Sequence, residues 1–176
     1  NPIILSFLKA VEGVSWTVNT FGSRFHHGLV INKTEPKKSE KNILWKLDLP
    51  PLSWGPYSLK NHRTGTKDIV VVDTLNKFYL IGANGKIKWT KDLEKPIIGS
   101  ITQIDAYKNN KYQMVFNTEN ELHILDILGN EIDHFPIKFS FQASNQVAVF
   151  DYDNNKDYRF VLSSNNGTIY NFSIGG

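Results

Sequence analysis

Trp45-Lys-Leu-Asp48-Leu49 returns 44 residues later as Trp89-Thr-Lys-Asp92-Leu93. A third, looser copy opens at Phe135, 46 residues further on. This repetition constrains the fold more than any single residue does. A period in the mid-forties is the length of a four-stranded propeller blade. It also limits what can be said of function, because such folds are general platforms on which activity is set by local sites.

The match extends through each unit. Asn61, Asp105 and Asp151 each open a polar turn. An apolar run follows each turn: Ile69-Val-Val-Val72, Gln113-Met-Val-Phe116 and Arg159-Phe-Val-Leu162. Second turns centre on Asn76, Asn120 and Asn166. Then come Phe78-Tyr-Leu-Ile81, Leu122-His-Ile-Leu125 and, after a one-residue slip, Ile169-Tyr-Asn-Phe172. Asn and Gly accept positive φ, and Asn and Asp bond their own backbone, so they end strands at little cost. The runs between them are short and rich in Val, Ile, Phe and Tyr, which is strand chemistry. Strands are expected near 43–49, 56–61, 68–73, 77–82, 87–93, 100–106, 112–117, 121–126, 131–139, 146–151, 158–163 and 168–173. A turn of helix is expected only near Phe7-Leu8-Lys9. A β-sandwich also has short strands, but it does not need one strand set to echo the next.

The expected fold is therefore all-β, an arc of about three four-stranded antiparallel blades. Residues 1–40 read as an irregular N-terminal segment with a partial blade, Phe25 to Ile31 being its last strand. Residues 41–176 read as the repeats, with units 45–88, 89–134 and 135–176. Closed propellers have about four to eight blades. Three units, a start at Asn1-Pro2 and an end at Gly175-Gly176 read together as part of a larger propeller.

Composition excludes several classes. The net charge is +3, from 20 Lys and Arg against 17 Asp and Glu, with the signs interspersed. The densest basic stretch, Lys33 to Lys46, also holds Glu35 and Glu40. That is a solvated loop and not a one-signed nucleic-acid footprint. The apolar stretch Ile3 to Val11 is too short to span a bilayer and carries Lys9. With no cysteine, disulfides and thiolate metal sites are excluded.

Gly85-Lys-Ile-Lys-Trp89, preceded by Phe78-Tyr-Leu-Ile81, resembles the repeats of quinoprotein-like (PQQ-type, WD40-like) β-propellers. Phe150-Asp-Tyr-Asp-Asn-Asn-Lys-Asp-Tyr158, with Gly129-Asn130 and Phe135-Pro-Ile-Lys138, is similar to a group of uncharacterised bacterial propeller proteins. The likeness covers roughly residues 41–176 and implies a propeller, a bacterial source and a lean toward the cell envelope or export. It implies no activity. It also implies that the aromatics opening each unit, Trp45, Trp89 and Phe135, pack structurally between neighbouring blades, Phe departing from Trp.

Candidate chemistry is sparse. A quinone cofactor needs ligands from several blades of a complete ring, and no such constellation recurs here, so no cofactor is expected. Asp151, Asp153, Asn155 and Asp157 alternate as a calcium loop would. Lys156 stands where that loop needs glycine, and no bidentate Glu follows, so a capping role for Asp151 is favoured over a metal. His26 and His27 are adjacent, His62 and His134 stand in turns, and His123 replaces Tyr79 and Tyr170 in what reads as a surface or half-exposed slot. No spaced pair marks zinc. Trp54, Tyr57, Tyr107 and Tyr152, with Trp16, lie outside the core runs and are the candidate binding surface. Trp54-Gly-Pro-Tyr57 reads as a rigid loop between two strands; the competing reading packs Trp54 against a neighbouring unit. Sequons occur at Asn32, Asn166 and Asn171. The function expected is a non-enzymatic scaffold or protein-binding module. Its partner would be another protein, the rest of its own chain, or a second copy through open blade edges. The alternative is part of a ligand- or cofactor-binding enzyme whose site forms only in a complete ring.

Overall fold

The computed structural model describes residues 11–21, 24–33 and 42–175, with side chains from residue 42 onward. Among them there are strands and turns but no helix. The expected helical turn at Phe7–Lys9 lies outside the described residues, as does most of the charged loop before Trp45. The chain divides into two units, Asn1–Leu44 and Trp45–Gly176. In the first, β1 (Val11–Phe21) and β2 (Arg24–Lys33) form an antiparallel hairpin, with Val14 opposite Ile31 and Phe21 opposite Arg24. Phe25 to Ile31, expected as one short strand, belongs to this longer β2.

The second unit holds three antiparallel sheets, each a meander of consecutive strands. Sheet one contains β3 (Leu52–Lys60), β4 (Lys67–Asp73), β5 (Lys77–Ile81) and β6 (Ile87–Asp92). Sheet two contains β7 (Ile98–Ile104), β8 (Gln113–Asn117), β9 (Glu121–Leu125) and β10 (Ile137–Lys138). Sheet three has β11 (Ala148–Phe150), β12 (Arg159–Ser163) and β13 (Ile169–Ser173).

Three expectations need correction. First, residues 45–49 are not a strand. Leu47 and Leu49 pack instead on Val71, Tyr79 and Ile81 of sheet one, and among the described residues no strand supplies a ladder. Second, 131–139 is not one strand. A single bridge joins Leu125 to Glu131, and pairing resumes only at Ile137 opposite Leu122. In sheet one, Ile81 pairs Ile87 and Phe78 pairs Lys91. The same span therefore carries two extra residues in sheet two, which form the turn holding Phe135. Third, the apolar runs of sheets one and two are one residue out of the sequence alignment. Ile69 pairs Ile81, but it is Met114, not Gln113, that pairs Leu125.

The core lies between the sheets. Val70, Val72, Phe78 and Leu80 of sheet one meet Met114, Phe116 and Leu125 of sheet two. Val115, Leu122 and Ile124, on the opposite face of sheet two, meet Phe160 and Leu162 of sheet three. Sheet two is therefore apolar on both faces, and every residue of β8 and β9 is buried. Each large side chain buried in this way contributes about 1.5–3 kcal/mol.

The aromatics that open the units lie against the following sheet. The Trp89 indole covers Gly129 and donates from Nε1 to the Ile127 carbonyl at 3.0 Å. The Trp45 indole covers Gly85 and donates to the Ala83 carbonyl at 3.1 Å. A Cβ on Gly85 would come within 2.7 Å of that ring, so the turn needs glycine both for its φ of 75° and for space. Trp89 is half-buried and stacks on Phe78, while Trp45 stays 37% exposed. Phe135 is buried and meets Phe160 edge-on, with ring centroids 6.2 Å apart.

Candidate functional site

The turns between the first two strands of each sheet are built on one side chain apiece. Asn61 Oδ1 accepts from the Arg63 and Thr64 amides. Asp105 accepts from the Asn109 and Asn110 amides at 2.9 Å each. Asp151 accepts from Asn155 and Lys156 at 2.9 and 3.0 Å. The last two turns are twins, with positive φ at the third and fifth residues after the Asp: Lys108 and Asn110, then Asn154 and Lys156. Asx side chains suit such turns because their short acceptor reaches the amides that the reversal leaves unpaired.

The turns are also tied to one another. The Tyr112 amide donates to His62 Nδ1 at 3.1 Å. Lys156 reaches back to the buried Asp105 carboxylate, and the Asp105 amide donates to the Tyr158 hydroxyl. Burial works to raise the Asp105 pKa, but the Lys156 ammonium and the Asn110 and Asn109 amides outweigh it and hold the pKa below its ordinary value. The bond to Asp105 raises Lys156 in turn. Burial, then the Lys111 and Arg63 charges, lower His62, so its imidazole is neutral at pH 7 and its Nδ1 is free to accept.

Between the first two turns lies a cleft of about 500 Å³. It is lined by His62 and Arg63 of the first turn, by Tyr107, Lys111 and Tyr112 of the second, and by Leu128. Arg63, Ile127 and Leu128 also line a second hollow beside Trp89. Leu128 is 56% exposed, held out by a turn in which Asp126 accepts the Leu128 and Asn130 amides. The Tyr107 hydroxyl donates to Asp133 at 3.2 Å. The lining combines the cations of Arg63 and Lys111 with Tyr107, Tyr112, Ile127 and Leu128 and with the polar or acidic Asn109, Gln113 and Asp126.

The residues singled out from the sequence do not converge. Asp151 is occupied by backbone amides, Asn155 by the Asp157 amide, and Asp157 by Arg159 at 3.1 Å; Asp153 is exposed. Among the described residues no group of three His, Asp or Glu is placed to hold a metal. Trp54-Gly-Pro-Tyr57 is not a loop but a bulged stretch inside β3. Trp54 stacks on Tyr57 with centroids 4.5 Å apart, packs on the first core and donates to the Gly99 carbonyl of sheet two. Tyr152 is exposed and stacks on Phe150. Of the four aromatics only Tyr107 lines the cleft.

His123 corrects another expectation, for it is 4% exposed. Its ring stacks on Phe116, Nδ1 meets Glu131 at 2.8 Å, and Nε2 lies 3.3 Å from Glu121. Lys91 of sheet one reaches the same Glu131. The slot lies between sheets, not at the surface. His26, His27 and Asn32 fall in β2, and their side chains, like that of Trp16, lie outside the described ones.

The cleft residues Arg63, Lys111, Tyr112 and Leu128 carry no motif. The only signal for them was the alignment of the turns, which put 61–67 and 105–111 at one end of their sheets. The chain matches no protein-family model and no curated protein. No helix among the described residues is long and apolar enough to cross a membrane.

Proposed function

We propose that residues 45–175 form an arc of β-propeller blades and serve as a non-enzymatic protein-binding module, with the turn-lined cleft as its recognition surface. Support for the propeller reading comes from three consecutive meander sheets packed face to face, and from the indole-on-glycine contact that recurs 44 residues apart. The observation that carries the binding reading is the exposed Leu128 beside Arg63, Lys111 and Tyr107. Aromatic and Arg side chains around an apolar anchor are what interface hot spots are made of. The volume of the cleft also falls in the range of small-ligand sites, which favours a second reading as part of a ligand-binding ring.

Selection of displayed peptides on the whole chain tests the first reading. Peptides that compete for one site and lose affinity for Leu128→Asp support it. Failure to enrich any peptide, or equal binding by the variant, rejects it.

A further inference from the structure

We infer that the partner taken by the cleft is an extended peptide segment carrying an acidic side chain close to an apolar one. Its carboxylate meets Arg63, Lys111 and His62, and its apolar side chain lies on Leu128. This partner class rests on the binding reading above.

The charges of the cleft are unequally engaged. Elsewhere in the second unit Lys88, Lys156 and Arg159 each hold a carboxylate. Arg63 and Lys111 are exposed, and among the described residues their side chains make no hydrogen bond or ion pair. Lys60, also without an ion pair there, stands over the Tyr112 ring at 5.1 Å. His62 adds a donor. Its Nδ1 accepts from the Tyr112 amide, so the proton of the neutral ring sits on Nε2, which has no acceptor among the described residues. After burial, the charges of Lys111 and Arg63 are what lower the His62 pKa, so both cations lie near enough to act on one imidazole. A carboxylate bound there gains two unpaired cations and an N–H donor, the charge-assisted pairing that Arg geometry favours.

The acids nearby are already occupied. Asp105 is held by Lys156 and by the Asn109 and Asn110 amides. Asp126 accepts the Leu128 and Asn130 amides and the Asn130 side-chain amide. Asp126 nonetheless lines the cleft, and Asp133 holds the Tyr107 hydroxyl. A polyanion such as nucleic acid brings a charge at every step and meets these carboxylates, whereas a single acidic side chain does not. Arg63, Ile127 and Leu128 line both this cleft and the hollow beside Trp89. An extended segment can follow the two hollows across these shared residues, with its apolar side chain on the exposed Leu128.

Random peptides displayed on phage are selected on the whole chain. The enriched peptides are then synthesised twice, with the acidic residue intact and with it changed to the amide, and titrated by fluorescence polarisation. Enriched sequences should share an Asp or Glu close to a Leu, Ile or Phe. The amide form should bind about tenfold more weakly. Arg63→Gln/Lys111→Gln should weaken the acidic form to the level of the amide form, and Arg63→Glu/Lys111→Glu should prefer a peptide with Lys in place of the acid. Both side chains are exposed and unbonded, so the variants keep the fold, which circular dichroism checks. Enriched peptides without an acid, equal binding of the acid and amide forms, or a difference that survives Arg63→Gln/Lys111→Gln overturns the inference. If those peptides still lose affinity for Leu128→Asp, the binding reading stands without it. No enriched peptide at all rejects both. A single-stranded oligonucleotide bound more tightly than any peptide, and lost in Arg63→Gln/Lys111→Gln, also overturns the inference and assigns the cleft to a polyanion.

Discussion

Sheets one and two are joined differently from sheets two and three. At the first junction Trp89 lies over Gly129 and hydrogen-bonds to the carbonyl of Ile127. At the second, Phe135 stands in its place in the sequence and binds no glycine turn; it packs on Phe160 instead. Polar ties cross both junctions, Gln103 accepting from the Lys60 amide and donating to the Lys60 carbonyl at the first, and Asn117 and Lys156 acting at the second. Buried Asn117 donates to the Asn145 carbonyl and accepts from the Val147 amide, while Lys156 reaches Asp105. One sequence period is thus realised by two chemistries. An indole needs a glycine turn 40 residues on to lie against, whereas a phenyl ring sinks into the apolar core between the sheets.

The largest effects should be alike at both junctions. Phe116 and Phe160 are fully buried, so each Phe→Ala change is expected to cost about 3–5 kcal/mol in chemical denaturation. A clearly smaller loss for Phe160→Ala would mean that the second junction is held by its polar ties alone. Asn117→Ala comes next. It should cost about 1–3 kcal/mol by stranding the Val147 amide and the Asn145 carbonyl. A neutral result would remove the polar half of the comparison.

The Lys156–Asp105 tie has a pH signature. The folded Asp105 pKa is depressed, so its contribution is present at neutral pH and is lost as pH falls through that value, below about pH 4. The Lys156 pKa is raised, so its contribution is kept below and lost above about pH 10.4. Asp105→Asn should therefore flatten the acid limb of the stability curve relative to wild type. An unchanged acid limb would show that other carboxylates dominate it. Asp153→Ala marks the small end of the scale. The side chain is exposed, and the change should stay within about 0.5 kcal/mol, with no micromolar calcium isotherm to lose. A calcium isotherm abolished by this change would reinstate the metal.

Much of the strand order was legible because Asn, Asp and Gly mark nearly every turn. The turn caps Asn61, Asp105 and Asp151 were legible for the same reason. Register was not. Ile69 to Val72 is apolar throughout and buried or nearly so on both faces, so no alternation fixes which residue points where. The extra residue after Asp105 therefore left no trace in the pattern. His123 was misplaced by the same ambiguity, since a sheet covered on both faces offers no solvent side. The cleft was hidden because its members are brought together by two turns and Leu128, distant in sequence.

The face-to-face placement of sheets one and two through Trp89 and Gly129 is tested most directly by a double-mutant cycle read in denaturation. A Cβ on Gly129 would lie 3.0 Å from the indole, in addition to the strain of its φ of 89°. Trp89 is half-buried, so Trp89→Ala alone should cost somewhat less than the fully buried phenylalanines. Gly129→Ala should destabilise the wild type by about 0.5–3 kcal/mol more than it destabilises Trp89→Ala, because the ring it strikes is then gone. Additive losses would contradict the contact, and with it the face-to-face joining of sheets one and two.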